Sequence, residues 1–218
     1  MSVIKGLKDI NALLDKPKYE GTGSKVRWLK LADGQSAKIR FLEELDEDSP
    51  NYDPKRGLAI VVKEHTNPKD YRRKALDTMD TEGRDWAEEM HRKDPKAGWK
   101  ARLRFYCNVL VDDGVDAPYV AIWSMGVSKQ SAFNTIREYA LETGSISNVT
   151  WKLKRNGQGT ETSYTLIPSG PDSEPFKWDG IEPFPLESAL NKVPYAEQEA
   201  FYLGFDTPSV TSSSNIDW

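Results

Sequence analysis

The sequence predicts a mainly β fold: a small antiparallel Greek-key barrel of the OB type, with a helical insertion and a C-terminal extension. Short runs rich in β-branched and aromatic residues recur between turn-forming residues, which favours several antiparallel strands. A helical pattern lies between the late strands, as it does in an OB-fold. With 218 residues and a hydrophobic content of 38%, the chain can bury one hydrophobic core, which favours one domain with appendages.

The first part of the chain, residues 1–24, is predicted to form a short amphipathic helix followed by a linker. Apolar residues recur there at helical spacing and stop before Pro17, and a glycine-containing stretch follows. The barrel itself is predicted over residues 25–169. Its first three strands are predicted at residues 26–31, 38–42 and 58–65.

A charged segment at residues 66–99 is predicted to form a helical insertion between strands. We expect packing to hold the insertion, with Trp86, Met90 and Trp99 as its anchors. The segment contains no cysteine. Because Cys107 is the only cysteine in the chain, no intrachain disulfide can form.

The second half of the barrel contains a predicted helix and the remaining strands. Ser128 can cap this helix, Ile136 lies on its apolar stripe, and Gly144 marks its end. The strands are predicted at residues 100–111, 119–125, 148–155 and 160–167. The last two flank Asn156 and Gly157, a dipeptide typical of a hairpin turn.

The strand at residues 100–111 carries the clearest functional signal. Side chains alternate across a strand, so one face is predicted to carry a polar row formed by Lys100, Arg102, Arg104 and Tyr106. The opposite, core-facing row is Leu103, Phe105, Cys107, Val109 and Val111. Cations that hold phosphates beside a ring on which bases stack suit single-stranded nucleic acid. The alternative is a half-buried strand with a solvated polar face.

The charges are distributed unevenly along the chain. From Gly170 onward the net charge is −7, whereas residues 1–169 carry +3, which together give −4. A mildly basic body with an acidic C-terminal segment, residues 170–218, is typical of nucleic-acid binders whose tail competes with the ligand. An acidic segment can also serve only to keep a protein in solution.

Several of these segments also resemble a known family. They are WLKL at 28–31, GQSAKIRFL at 34–42, LAIVV at 58–62, FYCNVLV at 105–111, the helix from Ser128 and WKLK at 151–154. Their order and spacing are similar to the core of the single-stranded-DNA-binding protein of T-even bacteriophages and its relatives, over residues 25–169. The resemblance implies a protein of DNA replication, recombination and repair that coats transient single strands and holds hairpins open.

The resemblance also implies which residues contact DNA. By position these are Arg102, Arg104, Phe105, Tyr106, Lys152, Lys154 and Tyr164. The predicted set of binding residues is completed by Lys38, Arg40, Lys100 and Trp123.

The sequence departs from that family at two places. Relatives hold zinc in the insertion with one histidine and three cysteines, whereas this insertion contains no cysteine. His65 and His91 are the only histidines in the chain. A structural zinc site normally needs four nitrogen or sulfur ligands, so no metal and no cofactor are predicted. Relatives also use a compact basic cluster at the amino terminus for cooperativity. Here the corresponding lysines are scattered, which leaves self-association along DNA open.

The end of the chain has the composition of a partner-docking tail. A Ser/Thr-rich stretch is followed by Ile216, Asp217 and Trp218 at the free carboxylate. This ending is similar to the docking tips of bacterial single-stranded-DNA-binding proteins. We therefore expect it to bind a replication partner such as a polymerase, helicase or recombinase, the alternative being a disordered end.

No enzyme activity is predicted, because neither histidine lies in a recognisable catalytic motif. One alternative function is a metal-dependent nuclease or processing factor that uses Asp46, Asp48 or Asp53. Another is a single-stranded RNA-binding module, since stacking does not report the 2′-hydroxyl. The sequence contains no long apolar run and no signal-peptide pattern. We therefore expect the protein to be located in the cytoplasm, which is that of a bacterial host if the chain is of phage origin, and to have no membrane partner.

Overall fold

The computed structural model of the chain describes residues 26–115, 117–169 and 180–205. Within these ranges the strands are β1 (Ser36–Phe41), β2 (Ile60–Thr66), β3 (Lys74–Leu76), β4 (Arg102–Asp112), β5 (Tyr119–Gly126), β6 (Trp151–Asn156) and β7 (Ser163–Pro168). The α-helices are α1 (Met79–Glu82), α2 (Trp86–Lys93), α3 (Ala132–Thr143) and α4 (Tyr195–Leu203). Two 3₁₀ turns lie at Gly159–Glu161 and Leu186–Ala189. The predicted mainly β fold is confirmed.

Strand β4 is the centre of one seven-stranded antiparallel sheet. It is eleven residues long, so its first half pairs with β2, its second half pairs with β1, and β5 runs along its other edge. From β1 the sheet continues through β6 to β7. Among the described residues no strand pairing joins β7 to β5 or β3. The sheet is therefore compatible with an OB-like barrel but is not closed by backbone hydrogen bonds.

The main core lies on the inner face of this curved sheet. The alternation of apolar residues along β1, β4, β5 and β6 turns their largest side chains inward, among them Phe41, Phe105, Trp123 and Trp151. Helix α3 covers one side of this core through the fully buried Ile136. The predicted helix is confirmed, and it ends as expected at Gly144, whose φ of 78° lies in the left-handed region. Its predicted cap is wrong, because the helix begins at Ala132 and its N-cap is Ser131 instead of Ser128.

The hairpin between β6 and β7 requires glycine at its turn. Gly157 has a φ of 78°, and a Cβ atom there would lie 2.6 Å from the carbonyl oxygen of Glu161. A larger residue would collide with that backbone, which explains the hairpin signal. This turn matters for function because Arg155 and Tyr164, on either side of it, reach the candidate site.

Two local predictions are wrong. Residues 26–31 do not form a regular strand: Trp28 makes an isolated bridge to Ile122, and the segment crosses the outer edge of β5 through two backbone hydrogen bonds. The insertion, predicted to be helical, contains the short strand β3 as well as α1 and α2. Strand β3 was missed because its three residues are too few for a periodic pattern.

The insertion is anchored by aromatic packing, and the C-terminal segment supplies part of it. Trp86, Met90 and Trp99 pack together as expected, and the Tyr202 ring of α4 stacks on Trp86 with ring centroids 5.8 Å apart. Gln198, also on α4, is fully buried and accepts a hydrogen bond from the Trp86 amide. The segment at 180–205 is therefore built into the fold.

Among the described residues, no helix has the length and apolar composition needed to cross a lipid bilayer.

Candidate nucleic-acid interface

The two faces of β4 lie as the alternation predicted. Phe105, Cys107, Val109 and Val111 are fully buried in the main core. Leu103 points the same way but lies beyond the edge of this core, where it is 49% exposed. On the other face, Arg102 is exposed and Arg104 is half-buried, so the cationic part of the predicted row exists.

The expected exposed ring at the end of that row is wrong. Tyr106 lies on the cationic face, but it is only 1% exposed because Trp28, Ile122 and Leu186 pack over it. The covering segment is held in place by Asn108, whose side chain donates to the Phe184 carbonyl at 2.8 Å and accepts from the Phe184 amide at 2.9 Å. A base cannot stack on a ring that the chain's own C-terminal segment covers.

Three further residues that were predicted to contact DNA are also buried, so these predictions are wrong as well. Phe105 and Trp123 belong to the main core, with exposures of 0% and 1%. Arg40 is buried as well, and its guanidinium donates to the Ser147 carbonyl at 3.1 Å and to the Thr150 hydroxyl at 3.0 Å. These side chains stabilise the barrel and do not present a surface to a ligand.

The predicted lysines lie on the outside of the barrel. Lys38 and Lys152 are direct partners across β1 and β6, and Lys154 follows on the same face of β6. All three are exposed, as is Lys100 just before β4. These lysines give the outer face positive charge with which it can attract phosphates, whereas none of them lines the cleft described next.

One cleft brings cations and aromatic rings together. It has a volume of about 350 Å³ and lies between the β5 edge crossed by residues 28–31 and the β6–β7 hairpin. Its lining side chains come from six segments of the chain: Trp28, Leu29, Lys30, Leu31, Lys74, Arg104, Ser124, Arg155, Thr162 and Tyr164. The lining contains four cations and two aromatic rings, and of the predicted binding residues it includes Arg104 and Tyr164.

Hydrogen bonds hold the two arginines of the cleft in place. Arg155 donates to the Leu31 carbonyl at 2.7 Å and to the Thr162 hydroxyl at 3.2 Å. Arg104 donates to the Ser124 hydroxyl at 3.2 Å, and its Nε lies 3.7 Å from a carboxylate oxygen of Glu64. Guanidinium groups positioned in this way lose little side-chain entropy when they bind a phosphate.

Lys74 is the most enclosed cation of the cleft. Its Nζ lies 5.6 Å from the ring centroids of both Trp28 and Tyr106, and it donates to the Tyr106 hydroxyl at 3.3 Å. Tyr106 in turn donates a short hydrogen bond to the buried carboxylate of Glu64. Burial lowers the pKa of Lys74 to about 8, an effect that the Glu64 charge opposes and the Arg104 charge reinforces. Burial and the Glu64 carboxylate raise the pKa of Tyr106.

Four of the charged and aromatic residues that line this cleft were not predicted as binding residues: Trp28, Lys30, Lys74 and Arg155. One of them carried a usable signal. Arg155 continues the alternation of Trp151 and Leu153 along β6, which predicts that its side chain points inward at the end of an apolar row. A cation at such a position indicates the rim of a core. The other three are brought together by contacts between distant segments, which local patterns do not reveal.

A second polar cluster lies in the insertion and bears on the zinc site that the resemblance implies. His65 is fully buried, donates from Nδ1 to the Trp99 carbonyl at 2.6 Å, and has Nε2 3.5 Å from a carboxylate oxygen of each of Asp77 and Asp85. The three potential ligand atoms lie within 4.8 Å of one another. His65 is therefore a core residue near the end of β2.

This cluster does not fit a zinc site of the implied type. It offers one nitrogen and two carboxylates where that site uses one nitrogen and three sulfurs. The carboxylates are also already engaged. Asp77 lies 2.6 Å from the Lys63 ammonium, while Asp85 caps α2 and accepts from Thr78 and Gln198.

We expect the purified protein to contain no stoichiometric zinc. Hydrogen bonds and aromatic packing already hold the insertion together. Elemental analysis of protein prepared without chelator, compared with a chelator-treated sample of the same preparation, measures this. Stoichiometric zinc that survives dialysis would contradict the expectation.

Two of the acidic residues proposed for a nuclease, Asp46 and Asp53, accept backbone hydrogen bonds within the loop between β1 and β2. Asp46 accepts from the Asp48 amide at 3.1 Å, and Asp53 accepts from the Lys55 amide at 2.9 Å. The predicted docking residues Ile216, Asp217 and Trp218, and the N-terminal helix, lie outside the described residues.

Comparisons of the chain with protein-family models, with curated proteins and with solved structures give no match.

Proposed function

We propose that the protein is a non-catalytic single-stranded-DNA-binding protein that coats and protects single strands during phage replication, recombination and repair. One observation carries the proposal, namely that the cleft places two aromatic rings, Trp28 and Tyr164, among four cations. Cations alone suit any polyanion. Rings beside them add a surface for unpaired bases, because every base has a face that can stack.

The geometry of the cleft favours a single strand over a duplex. A volume of about 350 Å³ accommodates a base and its sugar, whereas a duplex keeps its bases stacked and paired inside. From the cleft, the exposed cations Arg102 and Lys100 extend the positive charge along the start of β4. The lysines of the outer face add a purely electrostatic contribution. The proposed docking tail then brings replication partners to the coated strand.

We expect binding to single-stranded oligonucleotides to weaken steeply with salt. Each neutralised phosphate contributes about −0.7 to the slope of log affinity against log salt, so three to five contacts give roughly −2 to −3.5. Fluorescence anisotropy with oligonucleotides of graded length, at several salt concentrations, measures the slope and the site size together. A flat salt response, or tighter binding to a matched duplex, would contradict the proposal.

Matched variants identify the surface that is responsible. Lys30→Gln removes a cation of the cleft, and we expect a slope shallower by about 0.7. Lys96→Gln removes an exposed cation of the insertion outside the cleft, and it should leave the slope unchanged. Competition with an RNA strand of the same sequence separates the RNA-binding alternative. Degradation of the labelled strand in the presence of magnesium would favour the nuclease alternative.

A further inference from the structure

The cleft contains a nucleophile that the binding of an intact strand does not require. Lys74 lies on β3, on the same face of the sheet as Arg104, and its amine is enclosed between the rings of Trp28 and Tyr106. A cation placed only to attract phosphates gains from exposure, because it can then follow a mobile backbone. The enclosed position of Lys74 is instead typical of lysines that act as nucleophiles.

The surroundings of the amine supply the other requirements of this chemistry. Because the pKa of Lys74 is about 8, a sizeable fraction of the amine is uncharged near neutral pH. The Tyr106 hydroxyl, 3.3 Å away, is linked to the Glu64 carboxylate and forms a path for protons. The charged groups that act on the amine are Glu64 and Arg104. Lys30 and Arg155 line the same cleft.

We propose that Lys74 is a covalent site for an aldehyde held in the cleft, and that the ligand is a single DNA strand carrying a sugar that has lost its base. The inference rests on the proposed function, since the bound strand delivers the aldehyde. In an intact strand each C1′ is bonded to a base and offers no carbonyl. A baseless deoxyribose opens to expose a C1′ aldehyde, the electrophile that a neutral amine attacks. The space left by the missing base allows the sugar to approach Lys74.

The reaction is a condensation without a redox change. The lone pair of Nζ forms a bond to C1′ while the carbonyl π pair moves to oxygen, and a proton passes from the nitrogen to that oxygen. The resulting carbinolamine loses water, leaving a C=N bond between Lys74 and the sugar. When this imine is protonated, its charge lies where the ammonium charge was, beside the Glu64 carboxylate and the two rings.

Borohydride trapping on the full-length protein tests the inference. The substrate is a labelled single strand in which one uracil has been excised, incubated with the protein and cyanoborohydride. We expect a stable adduct that peptide mass spectrometry assigns to Lys74. A strand with a tetrahydrofuran in place of the baseless sugar has no aldehyde and should give no adduct. The mapping uses the wild-type chain, so its result does not depend on whether a variant folds.

Matched substitutions complete the experiment. Lys74→Arg should lose the adduct when the strand is present at a concentration that saturates the variant, whereas Lys96→Arg should keep it. Adducts spread over exposed lysines, or no adduct with a strand that binds normally when intact, would overturn the inference and leave the proposed function standing. Failure of the intact strand to bind would overturn both.

Discussion

Tyr106→Ala is expected to lower the free energy of unfolding by about 3–5 kcal/mol, the range for removing a fully buried aromatic side chain. The ring is 1% exposed and packs against Trp28, Ile122 and Leu186. The substitution leaves a cavity between the sheet and the C-terminal segment. It also removes the hydroxyl that satisfies the buried Glu64 carboxylate. An unsatisfied buried charge adds to the cost of the cavity.

Urea denaturation followed by tryptophan fluorescence measures this effect, and two substitutions separate its causes. Tyr106→Phe keeps the packing but removes the hydroxyl, so its cost should be about 1–3 kcal/mol. Leu103→Ala, at a 49% exposed position on the same strand, should change stability by less than about 1 kcal/mol. If Tyr106→Ala left stability intact and only weakened strand binding, the ring would have to lie in the ligand site and not in the core.

This prediction shows which part of β4 the sequence could specify. The alternation along residues 100–111 was sufficient to place Phe105 in the core and Tyr106 on the opposite face, because the side-chain period of a strand is fixed. It could not show that the opposite face is covered. That covering depends on Phe184 and Leu186, more than 70 residues later in the chain, which Asn108 holds against the sheet.

The candidate site was predictable only in part, and for a related reason. Arg104 and Tyr164 follow from strand alternation and from the resemblance. Trp28, Lys30 and Lys74 enter the cleft because an irregular segment crosses β5 and because β3 adds to the edge of β2. Neither element has enough periodic residues to be recognised locally. The composition of the cleft therefore depends on the tertiary arrangement.

The C-terminal segment illustrates the limit of composition as a guide. Its net charge of −7 from Gly170 onward suggested an arm that competes for the basic face. Its apolar residues determine the position of residues 184–203 instead: Leu186 packs on Tyr106 and Tyr202 packs on Trp86. Burial of such aromatic and aliphatic area outweighs the screened attraction between exposed charges.

Trp28→Ala is expected to weaken binding to a single strand by about 1–3 kcal/mol, the range for the loss of one stacked base. The ring is half-buried at the wall of the cleft, with its edge near Tyr106 at a centroid distance of 6.1 Å. Trp28 thus contacts Tyr106 and also lines the cleft, where a base can contact it. The loss corresponds to a rise of roughly 5- to 150-fold in the dissociation constant.

The control for this prediction is an aromatic residue outside the cleft. Tyr71 is 64% exposed and does not line the cleft, so Tyr71→Ala should leave the affinity unchanged. Trp28→Phe keeps a smaller ring in place and should show an intermediate loss. Because Trp28 also covers Tyr106, the affinities must be compared at a temperature at which circular dichroism shows that every variant is folded.

An unchanged salt slope in Trp28→Ala, despite its lower affinity, would identify the lost contribution as stacking and not as charge, since the ring neutralises no phosphate. Equal losses in Trp28→Ala and Tyr71→Ala, or no loss in either, would remove the cleft as the site where bases bind.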